Sequence, residues 1–365
     1  MSGTVGPRQH FLPRFMLAGF ATRVQPKKQG KTTVWTYRFR QGLPPLELTT
    51  KQIGAEHNFY VRNGDPAIDV AFQEHENDAG ALVAEMRRLR SVPIEPACSP
   101  AQLVVGLFMR SRNTRLALLD ITTRVKAEVL GKLEDPELRR MPLIRHLRTR
   151  PLVITDALER EQGRPPTVPE VDAAITFYEN ALHGAEGTKW LARQYRNFAE
   201  NNPTIEGAKQ VHLRVLESGI LPAARLNQLA AMHWRVEIFD TGSFILGDVG
   251  PLLFDPDGCG FRGMLAFNVQ PGIVMLPISD RFLLVGREAG LESTELPDTD
   301  AINTASSSFS AEFFVATQSG ERELRYLTSL GSGDILLGDA DLTKLAEQFV
   351  ETLAAELGDR TAVNR

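Results

Sequence analysis

Trp234-Arg-Val-Glu-Ile-Phe239 alternates apolar and polar residues, and the chain changes character there. A period of two places every second side chain on one face of a strand, so this stretch reads as a half-buried strand. Asp240-Thr-Gly242 is a turn signal, and Ser243-Phe-Ile-Leu246 follows as a second strand. Leu252-Leu-Phe254, Leu265-Ala-Phe267, Ile273-Val-Met-Leu-Pro-Ile278 and Phe282-Leu-Leu-Val285 are short, bulky and separated by Gly, Pro and Asp. Such punctuation predicts an antiparallel sheet. Residues 297–317 read as mixed or helical. Asp341 to Leu357 reads as an amphipathic last helix with Leu342, Leu345, Phe349, Leu353 and Leu357 inward.

Upstream of Trp234 the period is mostly helical. Val70, Phe72, Ala79, Leu82, Val83, Met86 and Leu89 form a stripe between Pro66 and about Arg90. Arg87, Arg88 and Arg90 sit where cations suit a helix C-terminus. Ser99-Pro100 opens a second helix, serine as N-cap and proline at the first position, carrying Leu103, Val104, Leu107, Phe108 and Leu116 toward a core. Residues 120–233 continue mainly helical, punctuated by prolines such as Pro136, Pro142 and Pro151. Near the start, Val34 to Arg40 alternates as a strand, and His10 precedes a short amphipathic helix containing Pro13, Phe15, Leu17 and Phe20. The predicted fold is α+β: a mostly helical N-terminal and middle part packed with a later antiparallel β-sheet and a C-terminal helix. It is read as one unit over 1–365, with a composition shift near 230 that divides a mainly helical 1–233 from a β-rich 234–365.

The 365 residues are 42% hydrophobic, enough for a substantial core, and the formal net charge is -4. That balance gives no global attraction to nucleic acid or acidic lipid. Two cysteines, Cys98 and Cys259, make neither a disulfide framework nor a structural zinc site, and a reducing cytoplasm is the simplest compartment. Pro7, Arg8, His10, Pro13 and Arg14 interrupt the first twenty residues, so no secretory signal is read there. Every apolar run is shorter than the roughly 18 residues of a membrane span, so no membrane partner is expected.

Several polar residues are candidates for chemistry. His10 titrates near neutrality and can act as a base, or it can cap the helix it precedes or donate to a buried carbonyl. Asp248 stands at a strand end among glycines, as an active-site acid or as an Asx-turn closing a hairpin. Asn303 orients a ligand or satisfies buried backbone across the sheet. Arg112 and Arg115 are three apart on one helix face, with Arg110 nearby, and form the best anion-binding pair; the alternative is salt bridges to Glu74, Glu76 or Asp78. Glu74, His75, Glu76 and Asp78 read as a solvated helix face rather than a metal site. Asp255-Pro-Asp257 reads as a turn, and Ser306 to Ser308 as a polar connector. No Walker loop, dinucleotide glycine triad, G-x-S-x-G elbow or H-E-x-x-H is present. The sequence assigns no cofactor and no metal.

A series of short stretches, in order, resembles the bacterial domain-of-unknown-function family 4238. His10, Phe11, Pro13, Phe15, Leu17 and Phe20 are similar to its opening. Val34 to Phe39, Phe59-Tyr60, Glu76, Arg112 and Arg115 follow its next landmarks, with Met109 where the family carries a glutamine. Trp234, Phe244 to Pro251, Leu276 to Asp280, Ile302-Asn303 and Ala311 to Val315 resemble the later ones, with Val249 and Gly250 departing from an asparagine and a proline. The resemblance implies a soluble bacterial protein and supplies no reaction. Two functions follow as expectations. The first is binding of an anionic small molecule, nucleic-acid phosphate or protein partner, with Arg112 and Arg115 gripping the anion. The alternative is a hydrolase-like enzyme, such as a phosphodiesterase or nuclease, in which His10, Asp248 and Asn303 converge with the arginines.

Overall fold

A computed structural model describes residues 8–22, 32–39, 44–60, 67–133, 136–200, 205–218, 221, 223–258, 260–263 and 272–333, together with 343 and 347. The strand expected at Leu265–Phe267 and most of the helix expected over 341–357 lie outside these residues.

The chain forms two compact units, residues 1–118 with 205–336, and residues 119–204 with 337–365. The composition shift near 230 falls inside the first. That unit begins with β1 (Arg8–His10), α1 (Arg14–Leu17) and a single 3-10 turn, then β2 (Thr33–Arg38), β3 (Leu46–Thr49), β4 (Ala55–His57), α2 (Ala67–Leu89) and α3 (Pro100–Arg110). α4 (Arg112–Leu133) contains the boundary at Leu118. The second unit continues with α5 (Pro136–Thr149), α6 (Leu152–Gln162), α7 (Val168–His183) and α8 (Ala185–Glu200). The chain returns to the first unit as α9 (Ile205–Ser218), α10 (Ala223–Ala230), β5 (His233–Ile238), β6 (Leu246–Gly247), β7 (Leu252–Asp255), β8 (Gly260–Arg262), β9 (Ile273–Pro277) and β10 (Phe282–Arg287). It closes with α11 (Thr299–Ser308), β11 (Phe313–Ala316) and α12 (Glu321–Leu327). The fold is α+β.

Three sheets are built from antiparallel strand pairs. β1 pairs β4, the order β5-β10-β9-β7-β8 makes a second sheet, and β3-β2-β11-β6 makes a third. β9 lies between β10 and β7 and is buried at every residue, which explains its unbroken Ile273-Val-Met-Leu run. A strand covered on both faces has no polar side to show. Gly286 on β10 faces Trp234 on β5. A Cβ there would lie 2.8 Å from the indole ring, so the glycine makes room for the tryptophan that marks the composition change.

The helices follow their sequence signals with local corrections. Ser99 caps α3 as expected: its hydroxyl accepts the Gln102 N–H, and the Gln102 side chain accepts the Ser99 N–H. α3 is buried at all but one position and is the central helix of the unit. On α2, Phe72, Ala79, Leu82, Val83 and Met86 enter the core as expected, whereas Val70 and Leu89 face outward. Arg87 does more than complement the helix dipole. Its guanidinium donates to the carbonyls of Ile278, Phe15 and Met16 and ties α1, α2 and the end of β9 together. Burial lowers its pKa to about 10. His10 lies on β1 rather than at a helix start, because Pro13 occupies the N-cap position of α1 without a side-chain cap. Pro142 lies inside α5 instead of ending it. Within the second unit, Leu147, Ile154, Val171 and Ile175 form a small core among α5, α6 and α7. No helix among the described residues is long and apolar enough to cross a membrane.

Candidate functional site

A cleft of about 460 Å³ opens in the first unit where β1, β2, β4, β11 and the start of α4 meet. The meeting is fixed by main-chain bonds. Arg8 to His10 pair with His57 to Ala55, and the N–H groups of Phe11 and Leu12 both donate to the Gly54 carbonyl. Gly54 has φ +62, and a Cβ there would lie 2.9 Å from the Leu12 Cβ. Only glycine takes that conformation at that approach without strain. Opposite, Phe313 pairs with Arg38, and the Phe39 N–H donates to the Glu312 carbonyl at 2.7 Å.

Three arginines line the cleft: Arg8, Arg38 and Arg112. Two carboxylates, Glu56 and Glu312, line it with them, leaving one net positive charge. Nη1 of Arg112 lies 2.8 Å from Glu312 and 3.7 Å from Glu56, and the Arg112 side chain remains 34% exposed. Arg8 donates to the Gln52 carbonyl at 2.8 Å. Arg38 is exposed and makes no hydrogen bond or ion pair among the described residues. Phe11, Ile53 and Phe313 supply apolar wall, and Phe39, 64% exposed, stands at the same cleft.

The expected arginine pair divides. Arg112 and Arg115 do share a face, since both reach Glu56, at 3.7 and 3.5 Å. Arg115 is buried, however. It lies 3.7 Å over the Phe59 ring and donates to the Phe59 carbonyl, and it does not line the cleft. Arg110 takes the salt-bridge role: it pairs with Glu76, bonds the Tyr60 hydroxyl at 3.3 Å and donates to the His10 carbonyl. Burial opposes the Arg110 charge, but Tyr60 and Glu76 outweigh it and hold its pKa above the ordinary value. Burial pushes the Tyr60 hydroxyl up to about 12 despite that neighbouring cation. His75 and Glu76 are half-buried, so only Glu74 and Asp78 of that group form the solvated face expected. Among the described residues, no three His, Cys, Asp or Glu side chains gather as metal ligands.

His10, Asp248 and Asn303 do not line the cleft. Burial lowers the His10 pKa, a backbone hydrogen bond to Thr50 acts the other way, and Nε2 has no partner. Asp248 is fully buried, and its expected Asx-turn is replaced by a long-range clasp. Its two carboxylate oxygens accept the N–H groups of Ala311 and Glu312 at 2.8 and 2.9 Å, holding the cleft wall from behind. Burial pushes its pKa up to about 7, against the pull of those two donors. Asn303 satisfies buried backbone: it accepts from Ile245 N–H and donates to the Ser243 carbonyl. Ser306 and Ser307 lie buried within α11 rather than on a connector, with Ser306 accepting the Gly247 N–H and Ser307 donating to the Tyr326 carbonyl. Asp255 closes its turn as expected, accepting the Asp257 N–H.

Sequence reasoning did not select Arg8, Arg38, Glu56 or Glu312 as site residues. Their only signal is charge at strand ends, at Arg38 on the alternating strand and at Glu312 before Phe313. Nothing in the sequence brings those ends together. No curated protein and no solved structure matches the chain. The model of the family described as "Protein of unknown function (DUF4238)" matches residues 8–316, and the chain belongs to that family.

Proposed function

We propose that this protein binds an anionic small molecule in the cleft lined by Arg8, Arg38 and Arg112. The observation that carries the reading is Arg38, a guanidinium with no acceptor of its own among the described residues, facing a cleft that already holds two more arginines. A guanidinium presents several donors in a fixed fork that matches phosphate and carboxylate oxygens. Glu56 and Glu312 hold Arg112 in place, and an arriving anion shares it with them. The hydrolase alternative requires His10, Asp248 and Asn303 to face the bound anion, and none of the three lines the cleft.

Calorimetric titration with inorganic phosphate, at low ionic strength, tests the proposal. One site is expected in the wild type. Arg38→Gln should weaken it about tenfold or more, the scale of one charge-assisted hydrogen bond. Arg38 is exposed and can be replaced without disturbing the core. Equal binding by wild type and variant, or no binding by either, overturns the proposal.

A further inference from the structure

Resting on that reading, we infer that the anion is the phosphate of a ribonucleoside monophosphate. A bare inorganic anion fills little of a cleft of about 460 Å³, a volume within the range of pockets that enclose drug-sized ligands. The lining is also chemically divided. Arg8 and Arg38 have no carboxylate partner among the described residues and form the anion end. Glu56 and Glu312 are 37% and 44% exposed beside Arg112, and each keeps acceptor capacity beyond that shared cation. Two carboxylates facing one cleft call for a ligand with hydroxyl donors as well as negative charge, and a vicinal diol supplies two donors at once. Phe39 adds the third feature. Its ring is 64% exposed on the residue after Arg38, and its edge rests against Gly331. A flat base can lie on the exposed face of such a ring. Phosphate, ribose diol and base together match the cation, carboxylate and aromatic parts of one lining.

The test is calorimetry of the full chain with the four ribonucleoside monophosphates, a 2′-deoxyribonucleoside monophosphate, ribose 5-phosphate and inorganic phosphate. At least one ribonucleotide should bind about a hundredfold more tightly than inorganic phosphate, the scale of adding one stacked base and a pair of hydroxyl hydrogen bonds. The deoxy compound should lose about tenfold of that preference. Phe39→Ala should weaken the ribonucleotide about tenfold and leave ribose 5-phosphate unchanged. Glu312→Gln should lower the ratio of ribonucleotide to phosphate affinity, because removing a negative charge favours bare phosphate while it removes a diol acceptor. Thermal unfolding of each variant reports that it is folded. If inorganic phosphate binds as tightly as every nucleotide, the nucleoside assignment fails while the anion site stands. If neither phosphate nor any nucleotide binds, both fail.

Discussion

Replacing Asp248 by asparagine separates the charge of a buried carboxyl from its shape. Burial raises the folded-state pKa of Asp248 to about 7, above the ordinary carboxyl value near 4. A group with a raised folded pKa favours the folded state in its neutral form. Its stabilising contribution is therefore complete below the unfolded value and is lost as pH rises toward about 7. Between pH 5 and pH 8 that loss amounts to roughly 2 to 3 kcal/mol. Asparagine has no charge to bury and lacks this slope. It does present an amide N–H₂ where one carboxylate oxygen accepts the N–H of Ala311 or Glu312, and losing that bond costs about 1 to 3 kcal/mol. Asp248→Asn should thus be less stable than wild type at pH 5, with the gap closing or reversing by pH 8. Urea unfolding at several pH values measures both curves, and groups common to the two proteins cancel in the difference. Parallel pH profiles for variant and wild type would refute the reasoning.

Three further outcomes are expected. Asn303→Ala leaves Ile245 N–H and the Ser243 carbonyl without their partner and should cost about 2 to 4 kcal/mol in urea unfolding; a loss under about 0.5 kcal/mol would contradict the role assigned to it. Gly54→Ala forces a side chain into left-handed backbone against Leu12 and should cost about 1 to 3 kcal/mol, with a lowered melting temperature as the readout and an unchanged one as the refutation. His212 is buried with Nε2 bonded to the Met109 carbonyl, and burial lowers its pKa to about 4. Stability from this group is present above the unfolded value near 6.5 and is lost as pH falls toward about 4. An NMR titration should find its imidazole neutral at pH 5, and a protonated ring there would contradict the burial.

The sequence-to-structure correspondence is uneven for physical reasons. Local rules carry what is local. The Ser99-Pro100 start of α3, the alternating β5 and the closed turn at Asp255 rest on interactions within a few residues, and each is found where the pattern puts it. Buried faces are legible too, as α2 shows between Phe72 and Met86. Polar side chains with distant partners are not. Asp248 looks like a local turn residue because the N–H groups it accepts lie more than sixty positions away, at Ala311 and Glu312. Arg87 looks like a helix-end cation because the carbonyls it holds belong to Phe15, Met16 and Ile278. Arg112 was selectable by its spacing from Arg115, yet the two have different surroundings because one turns to the cleft and the other to the Phe59 ring. Arg38 and Glu312 meet only through the pairing of β2 with β11, a long-range register that no local motif announces.

The most direct measurement is the position of a bound anion. Crystals of the protein soaked in tungstate, an electron-dense tetrahedral mimic of phosphate, should show anomalous density within hydrogen-bond reach of the Arg38 and Arg112 guanidinium groups. Density only elsewhere, or none in this cleft at concentrations that saturate binding in solution, would contradict the anion site on which the functional reading stands.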